Sequence, residues 1–417
     1  MIDLRRLRGD PAYRRGIERK RVRPGLLDEL LAADDERRRL VTDLDTLRAR
    51  HNAASREIGR AAPEARDARI AAAAALKEEV AEASDRLAAA EARVRELALA
   101  VPNPADEGVP DGGEGDGRTL RAVGEPNPAP PLDHAAYAER MGWVDVSRAA
   151  EASGSRFAYL MREAALLELA LVRWVTGILC AEGFVPTVPP VLVRERTMEE
   201  AGFFPTDRHQ VYAIPDDDLY LVGTSEIPLS ALHRDEILDP SVLPLRYAGF
   251  SSCFRREAGT YGTDTRGIFR VHQFDKLEMF VFSHPDHSEE ELERILAVQE
   301  RVVGGLGLPY RVVDIAAGDL GAAAARKIDL EVWLPSEQRW RELTSCSNYR
   351  DFSARRLRTR VRDGDGTRLV HTLNGTACAI GRTLLFLFEH AQRSDGRFVV
   401  PEVLVPHAGF EVVEPPR

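Results

Sequence analysis

One set of mostly apolar positions recurs in alternating steps of four and three from Leu26 onward: Leu26, Leu30, Ala33, Arg37, Leu40, Leu44, Leu47, His51, Ala54 and Ile58. A second seam, Ala73, Leu76, Val80, Ala83, Leu87, Ala90, Val94, Leu97 and Val101, follows a short break at Ala61–Asp67 that contains Pro63. Heptad spacing sustained this long predicts two long helices. So short a break must fold them back on each other, giving an antiparallel coiled-coil hairpin over 26–60 and 68–101. At 1.5 Å per residue, about 33 residues make an arm roughly 50 Å long. The stretch 102–131 is crowded with Pro, Gly and Asp and reads as an irregular linker.

Beyond it the pattern is mixed. Leu167, Leu171, Trp174 and Ile178 mark an apolar-faced helix, and the proline-bearing FVPTVPPVL after Gly183 reads as an extended edge segment. Leu243–Phe254 and Ile268–Phe282 are rich in β-branched and aromatic residues and predict two antiparallel strands around a long loop with Gly259, Gly262 and Gly267. Ser288 with Glu291 fits a capping box opening a helix to about Gly304. Arg339–Asn348 reads as a strand with Glu342 and Thr344 on one face. Leu369–Leu373 reads as another strand, then a turn at Asn374-Gly375-Thr376 and a helix over Ala377–Ala391.

A chain of 417 residues exceeds one ordinary core. The expected division is 1–101, the linker 102–131 and a domain over 132–417. Cys180, Cys253, Cys346 and Cys378 are scattered, without a CxxC pair or clustered histidines. Neither a disulfide framework nor a zinc site is expected, and a reducing cytoplasm is. No run of about 18 apolar residues is present, and MIDLRRLRGD lacks the apolar core of a secretory signal. A net charge of −10 argues against general coating of nucleic acid but permits a local basic patch. Arg48, Arg50, Arg56, Arg60, Arg66 and Arg69 gather at the distal end of the arm. That end suits either a solvated coiled coil or a rod that tracks an RNA backbone.

Candidate chemistry sits in the second domain. Thr224 and Glu226 could grip a ligand ammonium, or cap a helix. Arg255, Arg256, Glu257, Asp264 and Arg266 crowd the long loop. Glu342 and Ser345 offer hard oxygens of the kind Mg²⁺ accepts. The glycine-containing segment before Arg382 could seat a phosphate or carboxylate.

Together these pieces resemble class II aminoacyl-tRNA synthetases, specifically the bacterial-type seryl branch. Gly183-Phe184 through Pro189-Pro190 resembles motif 1. Phe254-Arg255-Arg256-Glu257 through Arg270-Val271-His272-Gln273-Phe274 and Glu278 resembles motif 2, and Asn374-Gly375-Thr376 through Gly381-Arg382 resembles motif 3. The TSE turn, the ELTSCSN strand and the arm match the seryl branch. The resemblance implies an α+β fold, in which the arm joins a catalytic antiparallel sheet flanked by helices, and a homodimer through motif 1. It implies activation of serine by ATP and transfer to serine tRNA, or to selenocysteine tRNA where one exists. By the same resemblance Thr224, Ser225, Glu226, Arg255, Glu278, Asn374 and Thr376 would bind serine. Arg255, Arg256, Glu257, Val271, Phe274, Glu342, Leu343, Thr344, Ser345 and Arg382 would bind ATP. Glu342 and Ser345 would hold Mg²⁺, Arg255, Arg382 and Glu342 would be catalytic, and the loop Thr260–Arg266 would meet the tRNA end. The chain departs from the usual pattern at Met161-Arg162, Gly223, Ser353 and Cys378. Two alternatives stay open: a copy supplying seryl-tRNA to a secondary pathway, and a relative that loads an amino acid onto a carrier protein.

Overall fold

The computed structural model describes residues 1–258 and 267–416, so Gly259, Gly262 and the loop Thr260–Arg266 lie outside the described residues. The chain forms two compact units, Ile2–Arg14 with Arg21–Pro102, and Met1, Arg15–Lys20 and Asn103–Arg417.

The first unit is the arm. Its helices run Leu26–Ile58 and Pro63–Ala100. The second begins five residues earlier than the periodicity suggested, because Pro63 occupies the first helical turn, where its missing N–H costs nothing. Every position of the first seam is at least partly covered, and so are those of the second from Ala73 to Leu97. Arg37 holds its place in the seam through Asp34, which it meets at 2.7 Å. All six distal arginines are exposed, with Arg69 paired to Glu57.

The second unit is built on an eight-stranded sheet: β1 (Arg118–Val123), β2 (Val185–Thr187), β3 (Leu245–Phe254), β4 (Gln273–Ser283), β5 (Tyr310–Asp314), β6 (Arg326–Leu334), β7 (Arg339–Asn348) and β8 (His371–Ala379). Their order is β1-β5-β6-β7-β8-β4-β3-β2, antiparallel except where the proline-bearing β2 joins β3 in parallel at the edge. The linker is therefore less irregular than its composition suggests, since β1 lies within it and pairs with β5. Residues 15–20 also fall to this unit rather than to the arm. Arg19 binds Asp111 and the Asp106 carbonyl, and Gly16 leaves no room for a side chain against Ala105.

Alternation along β4 divides the sheet. Leu277, Met279 and Val281 enter the main core, together with Leu167, Leu171 and Val175 of the helix Arg162–Ala181, Ile295 and Val302 of Ser288–Gly305, and Leu384–Phe388 of Ile380–His390. Helix Arg162–Ala181 is long and apolar enough to span a membrane by length and composition, and this packed face is that of a core helix. Phe274, Lys276 and Glu278 face the other way, into a cavity.

Two expectations are corrected here. The capping box does not form, because Glu291 makes a bidentate pair with Arg246 at 2.6 and 2.7 Å while Ser288 bonds His371. Asn374-Gly375-Thr376 is not a turn but the middle of β8, and the following helix starts only at Ile380. Gly375 lies where a Cβ would come within 2.4 Å of Ile295 Cγ2 and 3.0 Å of Cys346 Cβ. Glycine is needed there for close packing. Gly375→Ala is expected to destabilise the sheet-bearing unit by about 2 kcal/mol, seen as a lower midpoint for that unit in denaturant unfolding.

Candidate active site

The β7–β8 ladder closes only from Cys346–Gly375 to Asn348–Leu373. Past that point the strands part. Gln299, buried on the core side, bridges the opening by donating its amide to the carbonyls of Ser345 (2.7 Å) and Thr376 (2.9 Å). A cavity of about 370 Å³ occupies the same region, lined from β4, β6, β7, β8 and the segments after β3 and β5.

Two bulges aim side chains into it. On β7, Leu330 pairs with Thr344 but Glu331 with Glu342, leaving Leu343 as an extra residue. An extra residue interrupts the alternation, so Glu342 and Ser345 both reach the cavity lining, as do Leu343 and Thr344. On β8, Leu277 pairs with Cys378 but Glu278 with Thr376, making Ala377 the extra residue.

Two buried carboxylates line the cavity. Thr224 accepts from the Glu226 N–H at 3.3 Å, Asn374 donates to Glu226 at 2.6 Å, and Tyr349 hydrogen-bonds the same carboxylate. Thr376 donates to Glu278 at 3.2 Å, and Lys276 Nζ lies 2.5 Å from it. Burial, and the Glu278 charge beside it, push the Glu226 carboxyl up to about 7. Two guanidiniums line it as well. Arg255 donates to the Gly223 carbonyl at 3.2 Å with its guanidinium 5.2 Å from the Phe274 ring, and Arg382 donates to the Glu342 carbonyl at 3.2 Å with Phe269 beneath it. Burial opposes ionisation of Glu342, but Lys327, Arg382 and Arg255 outweigh it and hold that carboxyl below its ordinary range. Arg270 pairs with Glu257 at 2.9 Å.

Thr224, Glu226, Arg255, Glu257, Val271, Phe274, Glu278, Glu342, Leu343, Thr344, Ser345, Asn374, Thr376 and Arg382 all line this one cavity. Two expected residues do not. Ser225 is fully buried and donates to the Gly249 carbonyl at 3.3 Å, and Arg256 is exposed, its backbone N–H bound to the Gln210 carbonyl. Among the residues that departed from the family pattern, Gly223 contributes the carbonyl that orients Arg255, while Cys378 is buried beside Thr383.

Sequence reasoning missed Phe269, Arg270, Lys276, Lys327, Tyr349 and the strip Leu320–Ala324, all of which line the cavity. A signal existed for two of them. Lys20, Lys77, Lys276 and Lys327 are the only lysines among 57 basic residues, and a chain that otherwise uses arginine keeps a compact ammonium where a guanidinium would not fit.

Among the described residues no three His, Cys, Asp or Glu side chains cluster to hold a metal by themselves. Glu342 and Ser345 supply two hard oxygens on one side of the cavity. That pair fits Mg²⁺ whose remaining ligands come from phosphates and water.

The comparisons with known proteins agree with this geometry. Residues 1–105 match the seryl-tRNA synthetase N-terminal domain, and residues 210–391 match the tRNA synthetase class II core domain (G, H, P, S and T). A serine–tRNA ligase of Mycobacterium avium is 50% identical, with 100% of this chain and 99% of that protein covered. A solved seryl-tRNA synthetase from Pyrococcus horikoshii, complexed with ATP, superposes with a TM-score of 0.92 at 36% identity over 100% of both chains. The cytoplasmic serine–tRNA ligase of Naegleria fowleri, in complex with AMP, gives 0.87 at 30% identity, covering 100% of this chain and 99% of that one. On full-length identity and a shared fold, this chain belongs to the seryl-tRNA synthetase family.

Proposed function

We propose that the cavity activates serine with ATP and then hands the seryl group to the 3′ end of serine tRNA. The observation that carries this reading is the charge gathered in one cavity: the buried carboxylates Glu226 and Glu278 share its lining with the guanidiniums of Arg255 and Arg382. Two carboxylates buried together repel, and a ligand ammonium between them relieves that repulsion. Two guanidiniums suit a carboxylate and a polyphosphate.

In the first step a serine carboxylate oxygen attacks the α-phosphorus of ATP, and the bond to the bridging oxygen breaks with release of pyrophosphate. In the second a ribose hydroxyl attacks the seryl carbonyl and AMP leaves. Neither step needs a protein nucleophile. Both need charge neutralisation and in-line placement. Arg255 holds the serine carboxylate and the α-phosphate, and Arg382 takes the γ-phosphate end. Glu226 and Glu278 hold the ammonium, with Asn374 and Thr376 orienting them and Thr376 and Glu278 meeting the hydroxyl. Glu257 serves the adenine amino group and Phe274 stacks on the ring, with Val271 alongside. Glu342 and Ser345 would hold a Mg²⁺, which spreads the developing negative charge of the phosphates when bound. Alanine lacks the hydroxyl and would leave buried polar groups unpaired.

Exposed Leu166 and Leu169 on helix Arg162–Ala181, with Val185 and Val188 after it, offer an apolar surface for a second copy, supporting a homodimer through motif 1. The exposed distal arginines support the arm as the serine tRNA contact.

Serine-dependent ATP–pyrophosphate exchange followed by charging of serine tRNA tests the whole reading. Exchange without charging would favour the carrier-protein alternative, and no exchange with serine would sink the synthetase site. Arg255→Ala is expected to lower the exchange rate at saturation by about 10²–10³-fold. Because Glu226 must be ionised to hold the ammonium and sits at about 7, kcat/KM for serine should fall as pH drops below that value. The fall approaches about tenfold per pH unit, and the limb should vanish in Glu226→Gln. Deleting 37–86 should leave serine exchange within about twofold while charging collapses, since the phosphate contacts that bind RNA would be lost. Equal loss of both would make the arm a structural element.

A further inference from the structure

The chain leaves the catalytic unit after Lys20 and re-enters it at Asn103. Both residues end on one short strip of backbone. Lys20 Nζ donates to the carbonyls of Gly321 (2.7 Å) and Ala324 (2.5 Å). The Asn103 N–H donates to the Ala322 carbonyl at 2.8 Å, and its side-chain amide to those of Ala323 (2.9 Å) and Tyr349 (2.8 Å). Asp106 completes the series, its N–H reaching the Ala325 carbonyl at 2.9 Å. Five consecutive carbonyls, Gly321 through Ala325, are thus satisfied by residues 20, 103 and 106.

The strip belongs to no helix or strand. A segment without a ladder of its own takes its shape from whatever meets its backbone groups. Here the shape matters, because Gly321–Ala324 and Tyr349 form part of the cavity wall. The Tyr349 side chain hydrogen-bonds both Glu226 and Asn374. Asn103 therefore holds the backbone of a residue whose side chain orients two groups of the amino-acid end.

The residue types fit the task. An ammonium carries three donors that can spread over carbonyls in different directions, whereas a guanidinium keeps its five in one plane. Lys20 is one of four lysines in a chain otherwise reliant on arginine. Asn103 is 2% exposed, so its amide has no competing solvent partner.

We propose that Lys20 and Asn103 are positioning residues for the amino-acid pocket, fixing the strip 321–325 and Tyr349 and thereby setting serine affinity from the two points where the chain crosses to the arm. The proposal rests on the serine reading of the cavity. Without touching the ligand, the two residues act through a wall that does.

Kinetic constants for pyrophosphate exchange in the full-length chain, without tRNA, test it. Lys20→Met and Asn103→Ala are each expected to raise KM for serine about tenfold, the equivalent of about 1.4 kcal/mol, while KM for ATP stays within about twofold. Lys20→Arg should not restore the serine KM. On a Tyr349→Phe background the effect of Asn103→Ala should shrink to less than about twofold, because neighbours in one network do not add. Unchanged serine KM in both variants overturns the proposal, as do equal rises in both KM values, which would mark general loosening. A full tenfold effect on the Tyr349→Phe background overturns the route through Tyr349. If Asn103→Ala fails to fold, Lys20→Met reads the same strip. Should the unmodified chain show no exchange with serine, the reading of the site falls first, an outcome distinct from normal exchange with indifferent variants.

Discussion

The catalytic unit depends on one interruption. Strands β7 and β8 pair over three residues and then separate, and the Gln299 amide spans the opening from the core side by meeting the carbonyls of Ser345 and Thr376. A continuous ladder would have closed the sheet and left no room for a ligand. An unbridged opening would have left two carbonyls without partners against a hydrophobic core, at a cost of about 1–3 kcal/mol each. The site exists because a single buried side chain substitutes for the next rung of the ladder.

Within that opening the sheet does electrostatic work. It holds like charges near each other in a small cavity, where they could not stay if the backbone were free to relax. Glu226 and Glu278 are fixed through Asn374, Thr376, Tyr349 and Lys276, and Arg255 and Arg382 through carbonyl contacts and aromatic rings. Charges oriented before the substrate arrives need no reorganisation during reaction, which is what makes them effective at a developing phosphorane or oxyanion. Ligand binding settles charge the fold has already gathered.

Much of this was legible in the sequence, and the exceptions have physical reasons. The arm was readable because a heptad seam needs no distant partner, and the seam positions from Leu26 to Ile58 and from Ala73 to Leu97 are all at least partly covered. The cavity residues were readable through their resemblance to the class II motifs, since Val271, Phe274, Asn374 and Thr376 carry no charge that would single them out. The bulges at Leu343 and Ala377 were not, since a period of two cannot announce one extra residue, and with them went the continuation of β8 through Gly375. Glu291 looked like a cap because its true partner, Arg246, is 45 residues away. Gly321–Ala325 had no pattern at all: its shape comes from residues more than 200 positions earlier in the chain.

The distribution of lysine reaches beyond catalysis. Lys276 and Lys327 line the cavity and Lys20 is occupied with backbone carbonyls, which leaves Lys77, exposed midway along the second arm helix, as the one side-chain amine fully open to solvent. Most proteins of this size scatter many such amines over their surface. In this chain, where the Met1 α-amine is occupied with the Phe352 carbonyl, an amine-selective dye or crosslinker of the native state would concentrate at a single point on the arm, with no residue added or removed.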